Sequence, residues 1–233
     1  MRGFWIRGSR WLLVLVAAAS TSISASEPEQ PAPRPPLPSG ISKEELFGTA
    51  IRNSKWRRTS IEVCWLDFDT ADAAHRAIVR RAVAETWEKH SPVRFTGWQR
   101  CVLPAKGIRI RVADETQAPH VEWIGRFLDG RTPGMTLNFV FGNWRPECQG
   151  TRDFCVYAIA AHEFGHALGF THEQNRPEAP DWCKELKEGA VGDYKVTRYD
   201  GSSIMNYCNA NWSGDGKLSQ LDIDAVQTFY GRV

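Results

Sequence analysis

The chain has 233 residues and a formal charge of +2, with 29 basic side chains against 27 acidic ones. It carries no basic block, so nucleic-acid binding has no electrostatic support. Six cysteines are present, all from Cys64 onward.

The first stretch, MRGFWIRGSRWLLVLVAAASTSISAS, sets Arg2, Arg7 and Arg10 before an apolar run from Trp11 to Ala19, followed by small residues. That is the pattern of a secretory signal peptide over residues 1–25, with cleavage expected near Ser24 to Ser26. An uncleaved anchor is the alternative reading, although the run is too short for an ordinary transmembrane helix. Removing it takes away three arginines and no acids, which moves the net charge from +2 to about −1. Residues 26–40, SEPEQPAPRPPLPSG, hold six prolines and read as a linker or short prosegment. Residues 41–233 are enough for one domain, with room for two lobes around a cleft.

SIEVCWLDF, residues 60–68, is rich in β-branched and aromatic residues and reads as a strand. Residues 69–90 read as a helix, with Asp69, Thr70 or Asp72 as caps and Ala74, Ile78, Ala82 and Trp87 as its apolar stripe. VRFTGW (93–98) and GIRIRVAD (107–114) alternate as half-buried strands do, and GMTLNFVF (134–141) is a further strand candidate. A second helix is expected from about Arg152 to Leu168. After Gly169 the chain is rich in Gly, Pro, Asn and Asp. In LSQLDIDAVQTFYG (218–231), Ser219 can cap a last helix whose apolar positions are Leu221, Ile223, Val226 and Phe229. The fold class is α+β. The expected N-terminal lobe is a twisted mixed sheet with two long helices, and the C-terminal lobe is mostly irregular with a final helix.

An even cysteine count in an exported chain suggests three disulfides, and sequence alone permits fifteen pairings. The sequential one, Cys64–Cys101, Cys148–Cys155 and Cys183–Cys208, is the working expectation. Thiolate zinc binding is the rival, and no CxxC pair supports it.

The segment from His162 to Glu173 reads HEFGHALGFTHE. His162 and His166 are four apart, so a helix puts both imidazoles on one face, close enough to share an ion. Neutral imidazole is a good zinc ligand. Glu163 can approach the open side of that ion and take a proton from water. Gly169 tolerates positive φ, can end the helix, and lets the chain return with His172 as a third ligand. Three protein ligands with one open position is the pattern of a catalytic zinc site. Phe154, Ile159, Ala160, Phe164, Ala167 and Leu168 supply the apolar side of a buried helix. The competing reading is a helix whose histidines face solvent or core. His75, His90 and His120 have no partners at ligand spacing and read as surface or core residues. NWSGDGK, 211–217, reads as a surface turn in preference to a calcium loop.

The pattern HExxHxxGxxH, with Met205 in SSIMNY, resembles the metzincin clan of zinc endopeptidases. Tyr207, two residues past Met205, together with Phe170, Glu173 and Arg176, resembles the astacin form of the motif. The resemblance departs after Arg176, where Pro177, Glu178, Ala179 and Pro180 stand in place of xDRD. The last helix is also similar to that of matrixins. An astacin-like reading implies a metzincin-type fold with a cleft between its lobes and residues 41–233 as the catalytic domain. It also implies one zinc on His162, His166 and His172, with Glu163 as general base. Tyr207 is then a zinc ligand at rest or a hydroxyl that holds the oxyanion, and Met205 packs beneath the metal. The implied protein is a secreted monomer acting on protein or peptide substrates, without stable membrane insertion after signal cleavage. The substrate is expected along an edge strand, GMTLNFVF or a neighbour. Glu173 has two readings: a partner for a new amino terminus between Phe47 and Trp56, or a group that orients His172 or binds nearby backbone. The rival function is a zinc-containing binding or structural protein without proteolysis, and intact Glu163 and Tyr207 argue against it.

Overall fold

In SIEVCW the alternation sends Ile61, Val63 and Trp65 to one face; all three are buried, while Ser60 and Glu62 are exposed. These residues form β1 (Ser60–Trp65), in a computed structural model that describes residues 50–233. The expected signal peptide, the proline-rich stretch and the chain up to residue 49 lie outside the described residues. β2 (Arg94–Arg100) and β3 (Ile108–Val112) flank β1, followed in sequence by β4 (His120–Val121) and β5 (Met135–Leu137). The sheet order is β2-β1-β3-β5-β4. All neighbours pair in parallel except β4, which is antiparallel to β5. The mixed α+β sheet lobe is therefore as expected.

One expectation about its last strands needs correction, and another is narrowed. GMTLNFVF is strand only over Met135–Leu137, because Asn138 Oδ1 accepts from the N–H groups of Val140 and Phe141, both at 2.8 Å, and turns the chain. Nor is this segment an edge: β4, its neighbour, covers its outer side. A two-residue strand offers no periodicity to read.

α1 (Ala73–Val83) starts from a turn in which Asp69 Oδ1 accepts from Ala71 N at 2.9 Å, and its helical path continues through a wider π turn at Ala84–Glu88. α2 (Arg152–Ala167) packs against α1, and the Trp87 indole N–H donates to the Ala161 carbonyl at 2.7 Å. Most of α2 is buried, but Phe154 is exposed and lies 6.0 Å from the Trp212 ring, so it does not join the buried face as expected. α3 (Asp181–Lys184) is a single turn. α4 (Gln220–Tyr230) begins with a capping box in which Ser219 and Asp222 bond each other's backbone. The disulfides are Cys64–Cys101, Cys148–Cys155 and Cys183–Cys208, the sequential set. The last ties the α3 turn to the residue after Tyr207.

Candidate metal centre

The site stands on the last turn of α2. His162 and His166 share one face there, with ring centroids 4.8 Å apart. The helix stops at Gly169, whose φ is 106°; a Cβ there would sit 2.4 Å from Ser54 Oγ, so backbone conformation and contact both require glycine. The reversal brings the His172 ring to 4.5 Å from His166 and 5.2 Å from His162. The helix end is held by residues far away in sequence. The Trp56 indole donates to the Ala167 carbonyl at 2.8 Å, the Tyr230 hydroxyl to Leu168 at 2.7 Å, and the Ile51 N–H to Gly169 at 3.1 Å. These bonds occupy carbonyls that a helix end leaves open.

Each imidazole is oriented through its Nδ1. His162 Nδ1 meets the Ile204 carbonyl at 2.7 Å, His166 that of Phe170 at 2.8 Å, and His172 that of Glu188 at 2.9 Å. A carbonyl only accepts, so each Nδ1 carries the proton and each Nε2 presents a lone pair. Those lone pairs converge: the Nε2 atoms of His162 and His166 lie 3.1 and 3.0 Å from that of His172. Three acceptors facing one another need a positive centre. Protonation is opposed because burial, reinforced by the neighbouring His172, depresses His162 to about 3, and burial likewise lowers His166 and His172. Three neutral nitrogens suit zinc, and the donor set fits it. Among the described residues this is the one His, Cys, Asp or Glu group of metal-ligating geometry.

Glu163 is buried beside the cluster, and its Oε2 has no hydrogen-bond partner in the protein. Burial pushes its carboxyl well above the usual range, and the charge of Glu188 adds to this, against a hydrogen bond from the Val121 backbone. That contact sets Glu163 between the histidines and strand β4. The Tyr207 ring lies 4.4 Å from His172 and 5.5 Å from His162 and remains 45% exposed. Burial pushes its hydroxyl upward, as do the charges of Glu163 and Glu188.

Met205 packs under the helix. A Cβ on Gly165 would lie 2.4 Å from its Sδ, so the close approach of that turn to α2 requires glycine. Asp222, at the start of α4, accepts from Ser203 Oγ at 2.6 Å and from Ile204 N at 3.0 Å. It thereby fixes the segment whose Ile204 carbonyl aims His162. Glu173 accepts from Asp200 N at 2.9 Å and pairs with Arg176 at 3.3 Å, so of its two readings the backbone contact is realised. Burial pushes its carboxyl up to about 7, against the pull of Arg176 and the Asp200 amide.

Residues 150–228 match the model of the astacin family of peptidases. Over these residues the chain is similar to that family. A stretch of 80 residues is 34% identical to the interstitial collagenase of Bos taurus, covering 34% of this chain and 12% of that protein. Protein SpAN of Strongylocentrotus purpuratus is 23% identical over 184 residues, 72% of this chain and 27% of its own length. The chain thus spans less than a third of the length of the curated relatives it matches. The solved structure of myroilysin has the same fold, with a TM-score of 0.58 at 20% identity over 80% of this chain and 100% of that one.

In this fold the five residues expected at the site, His162, Glu163, His166, His172 and Tyr207, come together. Sequence reading missed Trp56, Val121, Asn175, Glu188 and Asp222, which hold or surround them. Only one of these left a signal: Asp222 stands three residues after Ser219, a capping spacing that also serves the methionine turn.

Proposed function

We propose that the chain is a secreted zinc-dependent endopeptidase that hydrolyses peptide bonds with Glu163 as general base. The observation that carries this reading is the convergence of three Nε2 lone pairs, each fixed by a carbonyl on Nδ1, beside a buried carboxyl with a free oxygen. His162, His166 and His172 would hold one zinc, which when bound polarises a carbonyl and lowers the pKa of water to about 7. Glu163 takes the proton of the attacking water and delivers it to the departing amine. The Tyr207 hydroxyl donates to the oxyanion. The substrate main chain adds to the free edge of β4, next to Glu163.

Three disulfides and the signal-like residues 1–25 support export, outside the cell or into a periplasm. Among the described residues no helix is long and apolar enough to cross a membrane. The working form is a monomer. Processing would create a new amino terminus at or before Ala50, because Ala50 is buried and pairs with Tyr194, while Ile51 to Trp56 clamp the end of α2.

The test is to purify the secreted protein, measure its zinc, and assay a denatured-protein substrate beside Glu163→Ala. Bound zinc and a loss of at least about a hundredfold in Glu163→Ala are expected. A zinc-loaded wild type that cleaves nothing contradicts the peptidase reading; equal cleavage by both removes Glu163 as the base.

A further inference from the structure

Gln174 is fully buried two residues past the third histidine, and its side-chain amide ends on two other segments of chain. Its Oε1 accepts from the Tyr207 N–H at 3.1 Å, and its Nε2 donates to the Leu186 carbonyl at 3.4 Å. A backbone N–H only donates and a carbonyl only accepts, so the two partners fix which way the amide faces. The bond to Tyr207 continues a main-chain pairing. The Glu173 N–H donates to the Met205 carbonyl at 2.9 Å, and the Gln174 side chain supplies the next rung.

The same two outer segments are joined a second time. The Leu186 N–H donates to the Cys183 carbonyl at 3.0 Å, and Cys183 is bonded to Cys208, the residue after Tyr207. On the other flank Asn206 is buried. Its Oδ1 accepts from the Cys208 N–H at 2.9 Å, and its Nδ2 donates to the Asp200 carbonyl at 2.8 Å. The main chain on either side of Tyr207 is thus held, and Gln174 takes the Tyr207 N–H itself. The Tyr207 ring is the part left open, half-exposed, with its centroid 4.4 Å from that of His172. A ring on a fixed main chain moves only by its own side-chain torsions, so the backbone sets the direction from which its hydroxyl reaches the site.

We propose that Gln174 is a positioning residue for Tyr207: it anchors the main chain from which the Tyr207 hydroxyl reaches the reacting carbonyl. The proposal rests on the peptidase reading above, in which that hydroxyl donates to the oxyanion. Such a donor acts only where the charge develops, and a misplacement of about 1 Å removes much of its effect. A buried glutamine needs partners for its amide in any case. Here one of those partners is the residue that carries the hydroxyl, so the part of Gln174 in the reaction runs through Tyr207.

The test is a double-mutant cycle on the secreted, zinc-loaded protein, with kcat and KM measured on one peptide and expressed per bound zinc. Gln174→Met keeps an unbranched side chain of similar length and removes both bonds. It should lower kcat on the order of tenfold and leave KM and zinc affinity at their wild-type values, the pattern of an interaction made in the transition state. Tyr207→Phe should lower kcat about a hundredfold. The double variant should be no slower than Tyr207→Phe, because two changes that act through one contact do not add. A Gln174→Met protein of wild-type kcat overturns the proposal, and so does the same loss repeated in the Tyr207→Phe background. A Gln174→Met protein that no longer binds zinc also overturns it, since the residue would then support the ligands and not the tyrosine. Unchanged kcat in Tyr207→Phe removes the oxyanion role of Tyr207, and this proposal with it. Absence of cleavage by the wild type overturns the peptidase reading itself.

Discussion

The sheet lobe and the stretch from Thr171 to Leu218 are both ordered, but by different means. In the sheet lobe, alternating apolar residues bury one face: Ile61, Val63, Trp65, Ile108, Ile110, Met135 and Leu137 are all shielded. In the later stretch, the buried residues include an unbroken polar run, Thr171, His172, Glu173, Gln174, Asn175 and Arg176. Burying such groups is unfavourable unless each finds a partner. They find them in loop backbone: His172 and Asn175 in Glu188, Asn175 also in Ala190, Arg176 in Thr197, and Glu173 in Asp200. The lesson is that an irregular region can be as specific as a sheet when side chains take over the role of the backbone ladder.

The comparison can be broken from either side. The largest effect should come from Arg176→Ala, which leaves Glu173 buried without its ion pair; about 3–5 kcal/mol of stability should be lost. Urea unfolding checks this, and a loss under about 1 kcal/mol would mean that the polar run is not what orders the region. Next comes Ile110→Ala in the sheet lobe, which should cost about 2–5 kcal/mol through its cavity. Zinc affinity of the folded variant should stay at the wild-type value, because no ligand contact passes through Ile110. A drop in affinity measured by competition with a chelator would show that the lobes are not separable in this way. Asp222→Ala should be milder in stability, about 1–3 kcal/mol for the donors it strands. It should weaken zinc binding by about 10- to 100-fold, since Asp222 fixes the Ile204 carbonyl that aims His162. Unchanged zinc binding would remove it as a positioning residue.

This difference also explains what could be read from sequence. Strand and helix periods are local, so β1, β3, α1, α2 and α4 were legible, as was the HExxHxxGxxH spacing, in which Gly169 dictates the return of His172. β4 was not, because two residues carry no period, so the edge strand could be narrowed only to GMTLNFVF or a neighbour. Trp56, Glu188 and Asp222 act on α2, on His172 and on the methionine turn across separations of 111, 16 and 18 residues. Nothing in their local sequence reports a partner that distant. Glu173 lies between these cases: its position in the motif marked it, while its bond to Asp200 became visible only in the fold.

The central claim is that three histidines, held in one tautomer by backbone carbonyls, form a zinc site. It is tested most directly by zinc titration of the metal-stripped protein, followed by thermal unfolding, with His172→Ala alongside. The account predicts one zinc per chain and a stabilisation of about 2.7 kcal/mol at zinc a hundredfold above its dissociation constant. His172→Ala should bind far more weakly and show little of that gain. Zinc that binds His172→Ala as tightly as the wild type, or a wild type whose unfolding ignores zinc, would contradict it.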